Sequence, residues 1–327
     1  MTGHPCFMYN DEIISDHPPE DTVPIQALRY GTGCFETMRS EAGCTVPAGV
    51  PFLFDHLHRM YDAIRYLTGI PDLQAIANCP PKESWVDNVK RIKSHANLQH
   101  KLCLVRFQVW IEDQNGFYID SEPNIHRLIE IRAFNDTGGP IDLCYVPHQT
   151  ISSKSRPAQL KLSNMLHYRD AFRTARSIGA HDAILQNSDG YLAETAIANL
   201  FWYKNGTVFT PSEETNILPG ITRNRLLEAF RKEGIPCSEG TYTPDALEQA
   251  DVAWITNSLR EITPVRSISG IFPRRDPVPN QKQESSQKDA TKTKQPAAHV
   301  IKRYQHHPFL HRVYELYQQV KYSTDVQ

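Results

Sequence analysis

The chain has 327 residues, enough for two cores of ordinary size, and 40% of them are hydrophobic against 22% charged. A formal net charge of −2 and a pI near 6.7 exclude the strong positive field that recruits nucleic acid or anionic membranes. The seven cysteines are odd in number, scattered and without a Cys-x-x-Cys pair, which argues against a disulfide framework and a zinc ribbon; with no basic-then-apolar leader and no apolar run near ~18 residues, a soluble cytoplasmic protein is expected.

The first elements follow from periodicity. Cys6 to Tyr9 and Glu12 to Ile14, joined by Asn10-Asp11, read as a short hairpin, and a polar, proline-containing stretch runs on to Asp21. Leu28 to Arg39 carries two close glycines, Gly31 and Gly33, but no third and no helical pattern behind them, so a dinucleotide loop is not read there, and the run resembles instead a strand entry of the family that the motifs further along the chain point to. From Phe52 an amphipathic helix opens, with Leu53, Leu57, Met60, Ile64 and Leu67 as its buried stripe. His56 and His58 on that helix have no partners at metal-ligand spacing, so no metal site is assigned. Asp87 to Leu98 reads as a second, polar-faced helix. Leu102–Ile111 and Arg127–Phe134 are β-branched and aromatic enough for strands, with Asn115-Gly116 in the turn between them. Residues 135–140 break all periodicity. A linker is therefore placed at 135–142, dividing a small N-terminal α/β domain (1–134) from a larger, β-rich domain (143–327).

In the second half, Met165 to Ile178 has helical spacing in Met165, Phe172, Ala175 and Ile178, and Gly179 stops it. Ala183 to Leu185 is a strand. Leu200–Tyr203 and Thr207–Phe209 flank Asn205-Gly206, a tight-hairpin signal. Arg223 to Lys232 is helical, Pro244 to Gln249 a short helix, and Val252 to Thr256 a strand that delivers Asn257-Ser258 to its end. Residues 274–298 are polar and lack an apolar face, so a mobile insertion is expected. A last helix, Pro308 to Val320, repeats Leu310, Val313, Leu316 and Tyr317 and is expected to dock on the large domain.

Three short runs carry chemistry. Lys161 lies inside the apolar and uncharged run Leu160–Leu166, Glu194 is a lone acid in Gly190–Phe201, and Pro219-Gly220-Ile221-Thr222-Arg223 leads into a helix. Singly, each has a plain reading: a snorkelling lysine, a glutamate on a wet strand face, a helix cap. Together they read otherwise. A buried lysine becomes a nucleophilic amine that can form a Schiff base. An acid against a pyridine nitrogen keeps that ring protonated as an electron sink. Free N–H groups at a helix start suit a phosphate. These are the three needs of pyridoxal phosphate.

The same residues resemble the class IV aminotransferases, the fold type IV pyridoxal-phosphate enzymes that include branched-chain and D-amino acid aminotransferases and aminodeoxychorismate lyase. The shared pattern is Lys161 with Asn164, Glu194 with Asn199 and Phe201, and Leu218 through Arg223. The resemblance implies a two-domain α+β (α/β) fold with the cofactor between a small N-terminal and a larger C-terminal domain. It implies that Lys161 is catalytic, that Glu194 pairs with the pyridine nitrogen, and that Asn199 and Gly220 belong to the cofactor site. Arg59, in the pattern His56-Leu57-His58-Arg59-Met60, would hold the phosphate with Ile221, Thr222, Asn257 and Ser258. Tyr30 and Arg106 would stand on the substrate side, with Tyr30 as a core residue the plain alternative. A homodimer is implied, acting on an amino acid and a 2-oxo acid. The substrate-side motifs are mixed. The Arg-x-His carboxylate trap of D-amino acid aminotransferases is absent at Trp110-Ile111-Glu112-Asp113, and Met165-Leu166 replace the tyrosine of branched-chain enzymes. The glycine-rich run of the lyase is missing at 111–118, while Asn257-Ser258-Leu259 is similar to the lyase loop. The readings are therefore a transaminase first, a lyase releasing 4-aminobenzoate and pyruvate second, and a non-catalytic cofactor-binding protein third.

Overall fold

The computed structural model describes residues 6–14, 25–76, 78–112, 123–150, 152, 154–155, 157–270 and 300–323. The Asn115-Gly116 turn, the polar run before Asp21 and the expected insertion at 274–298 lie outside them.

The N-terminal half is built on one antiparallel sheet. Its strands are β1 (Cys6–Tyr9), β2 (Glu12–Ile14), β3 (Gly33–Ser40), β4 (Cys103–Glu112) and β5 (Asn124–Ala133), in the order β2-β1-β5-β4-β3. The hairpin forms as expected, with Asn10 and Asp11 at φ 42° and 72°, the left-handed values of a tight primed turn. On β4 the residues alternate. Val105, Phe107 and Val109 are fully buried, whereas Arg106 and Gln108 point to the other face.

Against the buried face pack α2 (Leu53–Thr68) and α3 (Lys82–His95). Leu57, Ile64, Val89 and Ile92 are 0% exposed, and each such side chain contributes about 1.5–3 kcal/mol by leaving water. Trp85 of α3 sits 4.5 Å from the Phe107 ring, centroid to centroid. Two expectations need correction. Ile25–Tyr30 forms a helix, α1, where the sequence suggests only a strand, and β3 begins at Gly33. The second helix starts at Lys82, five residues before Asp87, because Pro81 is already poised as its N-cap, and it ends at His95 because Asn97 turns left-handed (φ 54°).

The C-terminal half holds β6 (Ile141–Gln149), β7 (Asp182–Gln186), β8 (Leu192–Thr195), β9 (Asn199–Lys204), β10 (Thr207–Pro211), β11 (Cys237–Gly240), β12 (Val252–Asn257), β13 (Glu261–Ser269) and β14 (Val300–Arg303). The order is β11-β10-β9-β12-β13-β6-β7-β8, with β14 on β13. Because β8 also pairs with β9 through Glu194 and Asn199, six strands close into a ring, β9-β12-β13-β6-β7-β8. The seam of that ring is therefore made by two candidate site residues. Strand β6 begins at Ile141, so the expected linker 135–142 extends two residues into a strand. β6, β8, β11, β13 and β14 have no counterpart among the strands expected from the sequence. β6 is buried at 143–146 and so carries no clear two-residue alternation, while β11 is a short edge strand.

Helices α4 (Leu166–Ser177), α5 (Ile221–Lys232), α6 (Asp245–Glu248) and α7 (Phe309–Lys321) complete the half. α7 docks on α5 through Leu310, Val313, Leu316 and Tyr317, and Phe52 from the N-terminal half joins the same core. Polar contacts between the halves are specific. Arg225 of α5 forks onto Asp55 of α2 at 2.7–2.9 Å. Lys321, at the end of α7, pairs with Glu41 and Glu261 at 2.5 and 2.6 Å.

Candidate active site

The lysine-bearing segment runs along the edge of β3. Phe35 N–H donates to the Lys161 carbonyl at 3.0 Å, Ser163 N–H donates to the Gly33 carbonyl at 2.8 Å, and Leu162 forms an isolated antiparallel bridge with Cys34. Gly33 is required by this approach. A β-carbon there would stand 2.9 Å from the Val109 carbonyl and 3.0 Å from the Ser163 hydroxyl. A segment of the C-terminal half thus becomes a sixth, minimal strand of the N-terminal sheet, and Lys161 emerges at the junction.

The Lys161 ammonium lies 4.8 Å from the centre of the Phe35 ring, with the Arg106 guanidinium 4.1 Å from the same ring. Burial, and then the positive charge of Arg59, hold the amine down to about 8, with Arg106 adding to the shift and Glu36 and Glu194 opposing it. A neutral, nucleophilic fraction is therefore available near neutral pH.

Arg59 is placed by a buried carboxylate. Its Nε donates to Glu36 Oε1 at 2.7 Å and an Nη to Oε2 at 2.8 Å, while the remaining Nη donates to the Pro219 carbonyl at 3.1 Å. His56, only 1% exposed, bonds the same carboxylate through Nδ1 at 2.7 Å. The ionised carboxylate accepts only, so Nδ1 carries the proton. Burial pushes Glu36 up, but the charges of Arg59 and His56 outweigh it and leave the carboxyl at about 2. His56 is thus an orienting residue for Glu36, and Arg59 meets the start of α5 with two of its five N–H groups still unspent by these bonds.

That start is shaped for an anion. Gly220 is the N-cap of α5 and offers no side-chain cap, and a β-carbon on it would lie 2.0 Å from Asn199 Oδ1. The N–H groups of Ile221 and Thr222 sit in this first turn. Thr222 is buried with its hydroxyl near the Tyr317 phenol. Thr256 pairs across the sheet with Asn199, whose amide packs on this turn, and so shares its face; the Thr256 hydroxyl is buried without a hydrogen-bond partner. An orphaned buried hydroxyl beside an uncapped helix start fits a phosphate.

Glu194, 5% exposed, is held from both sides. Tyr168 of α4 donates to Oε1, and Asn199 Nδ2 (3.3 Å) and the Leu218 N–H (3.2 Å) donate to Oε2. Asn199 also donates to the Leu218 carbonyl at 2.7 Å, so one amide fixes the acid and the loop before α5 together.

The remaining expected residues lie at strand and helix ends. Asn257 uses its side chain inside the loop: Oδ1 accepts from the N–H groups of Leu259 and Arg260 at 3.0 and 2.8 Å, and Nδ2 donates to the Ile197 carbonyl at 3.3 Å. These bonds shape the turn between β12 and β13. The Ser258 carbonyl accepts from Arg39 N–H at 3.2 Å. Tyr30 ends α1 and is 44% exposed, so it is not a core residue. Tyr168, Thr256, Glu36 and Gln108 emerge only from the structure. Of these, Gln108 was legible as the second polar residue, two after Arg106, on a strand otherwise apolar. Among the described residues no helix is long and apolar enough to cross a membrane, and no three potential metal ligands cluster.

Comparisons with known proteins agree with this arrangement. The family model for class IV amino-transferases matches residues 33–268. The branched-chain-amino-acid aminotransferase of Escherichia coli K12 is 38% identical over 275 residues, covering 80% of this chain and 84% of that one. The aminodeoxychorismate lyase of Bacillus subtilis is 29% identical over 248 residues, covering 74% and 79%. The fold is similar to that of the branched-chain aminotransferase from the thermophilic archaeon Thermoproteus uzoniensis with norvaline, with a TM-score of 0.77 and 20% identity over 98% of this chain and 96% of that one.

Proposed function

The chain belongs to the class IV aminotransferases, pyridoxal-phosphate-dependent enzymes, and from that premise we propose how its own residues divide the work of moving an amino group between an amino acid and a 2-oxo acid. The observation that carries the reading is the convergence of a lysine held down to about 8, an anchored buried acid and an uncapped helix start.

When bound, pyridoxal phosphate supplies the carbonyl carbon that accepts the amino group and a ring that stores electrons. The first turn of α5, Arg59, the Thr256 hydroxyl and the 257–258 turn would bind its phosphate. Glu194 would keep the ring nitrogen protonated. Lys161 would hold the cofactor through its amine, and the same Nζ would carry the proton to and from the substrate's α-carbon. Arg106, on the cleft face of β4 beside Lys161, would meet the substrate's carboxylate. Asn199 and Gly220 are positioning residues, the first through its bonds to Glu194 and the Leu218 carbonyl.

A second copy of the chain would complete the site. Tyr30, Leu166 and Ile197 are 44%, 78% and 56% exposed, and they lie just before β3, five residues after Lys161 and three after Glu194. Large apolar side chains on three segments flanking one site suit a homodimer contact. The seven cysteines are all free thiols, which suits a reducing, cytoplasmic setting.

The test is an absorbance spectrum of the purified protein with added pyridoxal phosphate, before and after a panel of L- and D-amino acids. A visible band that one amino acid bleaches, and that Lys161→Ala lacks, is expected. A band indifferent to amino acids, with pyruvate released from aminodeoxychorismate, would move the assignment to the lyase chemistry named for the Bacillus subtilis relative. Normal turnover in Lys161→Ala would end the reading.

A further inference from the structure

The cleft face of β4 carries one more polar side chain than the proposed chemistry uses. Gln108 is half-buried and lies between two groups already assigned to the site. Its Oε1 accepts from an Nη of Arg106 at 3.0 Å. Its Nε2 donates to the Ser163 hydroxyl at 2.8 Å and to the Cys34 carbonyl at 3.1 Å. The orientation of this amide is forced by its neighbours. A guanidinium can only donate and a carbonyl can only accept, so the oxygen must face Arg106 and the nitrogen must face Cys34. Flipping the amide would break both contacts at once.

The two neighbours matter. Ser163 is two residues from Lys161, on the segment stitched to β3 by the Ser163 N–H and the Lys161 carbonyl. Arg106 stacks on the Phe35 ring, and Phe35 is directly opposite Gln108 in the β3–β4 register, so ring, guanidinium and amide share one face. The Gln108 side chain thus bridges the substrate-side cation and the lysine-bearing segment by direct hydrogen bonds to each.

We propose that Gln108 is a positioning residue that couples Arg106 to the Lys161 segment, so that the cation facing the substrate's carboxylate and the amine facing its α-carbon keep a fixed separation. This inference rests on the assignment of Lys161 and Arg106 made above. The need is physical. Lys161 and Arg106 are like charges beside one ring, and Arg106 contributes to the repulsion that holds the lysine down. An unrestrained arginine on a flexible stem would swing toward solvent, weakening both that repulsion and the carboxylate contact. One neutral amide with a forced orientation restrains the guanidinium without neutralising it, which a carboxylate at the same place would not do.

The test uses the cofactor-loaded protein and reads two quantities, the pH midpoint of its visible band and the KM for an amino-acid donor. Gln108→Leu removes both arms. It is expected to raise the midpoint by about half a pH unit, because Arg106 no longer presses on the lysine, and to raise KM ~5-fold or more. Gln108→Glu keeps an acceptor for Arg106 but neutralises its charge, and is expected to raise both the midpoint and KM. Ser163→Ala breaks the lysine arm alone, and is expected to move the midpoint while adding little further shift on top of Gln108→Leu. A Gln108→Leu protein with wild-type midpoint and KM overturns the coupling, as does a lowered melting temperature with both quantities unmoved. Full additivity of Gln108→Leu and Ser163→Ala overturns it too. A wild-type protein that shows no visible band with pyridoxal phosphate would fail the cofactor assignment itself, an outcome distinct from all of these.

Discussion

Two buried carboxylates a few side chains apart in the same cleft are held in opposite ways. Glu36, 1% exposed, is gripped by charged or chargeable partners, the Arg59 guanidinium by two bonds and the His56 ring by a third. Glu194, 5% exposed, is held by neutral donors, the Tyr168 hydroxyl, the Asn199 amide and the Leu218 N–H. Ion pairing on Glu36 ties that carboxylate to Arg59 and His56 by three bonds and so fixes Arg59. Neutral donors fix Glu194 in place; the charges of both acids, Glu36 before Glu194, raise the affinity of Lys161 for its proton. On the function proposed above, the difference separates a structural anchor from a working group. An acid meant to balance a protonated ring nitrogen needs position without prior neutralisation, and that is what neutral donors provide.

The comparison is broken most severely at the anchor. Glu36→Ala leaves Arg59 and the fully buried His56 without their acceptor, and losing one side of a buried pair costs about 3–5 kcal/mol. The expected outcome is a large fall in the urea midpoint together with weaker cofactor retention, since Arg59 is released from the start of α5. The pH dependence has a definite sign. Glu36 is held at about 2 in the folded protein, below its ordinary value. Its stabilisation is therefore complete above ~4.5 and is lost as the pH falls through about 2. Acid unfolding should steepen there in the wild type and lose that step in Glu36→Ala.

Glu194→Gln is the opposite cut, with a smaller but purely functional effect. The amide retains an oxygen for the Asn199 and Leu218 donors, so the melting temperature should barely move. Turnover should fall ~100-fold, the scale seen when one preorganised electrostatic partner is removed. Stopped-flow observation of the bound cofactor would place that loss on the proton-transfer step. If stability and turnover fell in the same proportion as in Glu36→Ala, the distinction between anchor and working group would be wrong.

The proposed working residues are far more legible than the anchors. Lys161 and Glu194 stand out because each violates its local pattern, a lysine or acid in an apolar run. The anchors obey theirs. Glu36 sits on a strand and His56 within a helix, and nothing local marks either as buried, because their contact spans a turn and the first part of α2. Tyr168 is hidden for another reason. The spacing of its helix suggests a stripe of Met165, Phe172, Ala175 and Ile178, and all four pack in one core cluster with Tyr168 and Ala171. Tyr168 thus reads as one more core aromatic, and nothing local shows that its hydroxyl reaches Glu194 on β8. The fold's strands are legible where one face meets solvent, as on β4, and illegible where burial removes the two-residue alternation, as on β6.

Tyr168→Phe is the finest way to sharpen the contrast, because it removes one oxygen and keeps the ring. The phenol is buried and donates to Glu194 Oε1, and a hydrogen bond to a charged group is worth about 1.5–3 kcal/mol. Part of that is returned when the cofactor is bound, since the remaining donors on Oε2 still fix the carboxylate. Turnover should therefore fall only ~10-fold, less than in Glu194→Gln. The direction of a second readout is opposite to intuition. With one donor gone, the Glu194 carboxylate becomes more basic and draws the ring proton toward itself, so the fluorescence and absorbance of the bound cofactor should shift toward the unprotonated-ring form. A tyrosine that merely filled space would leave that spectrum alone and change only the melting temperature. The spectral shift, and not the loss of stability that accompanies it, is thus the result that identifies Tyr168 as the group setting the strength of the proposed working carboxylate.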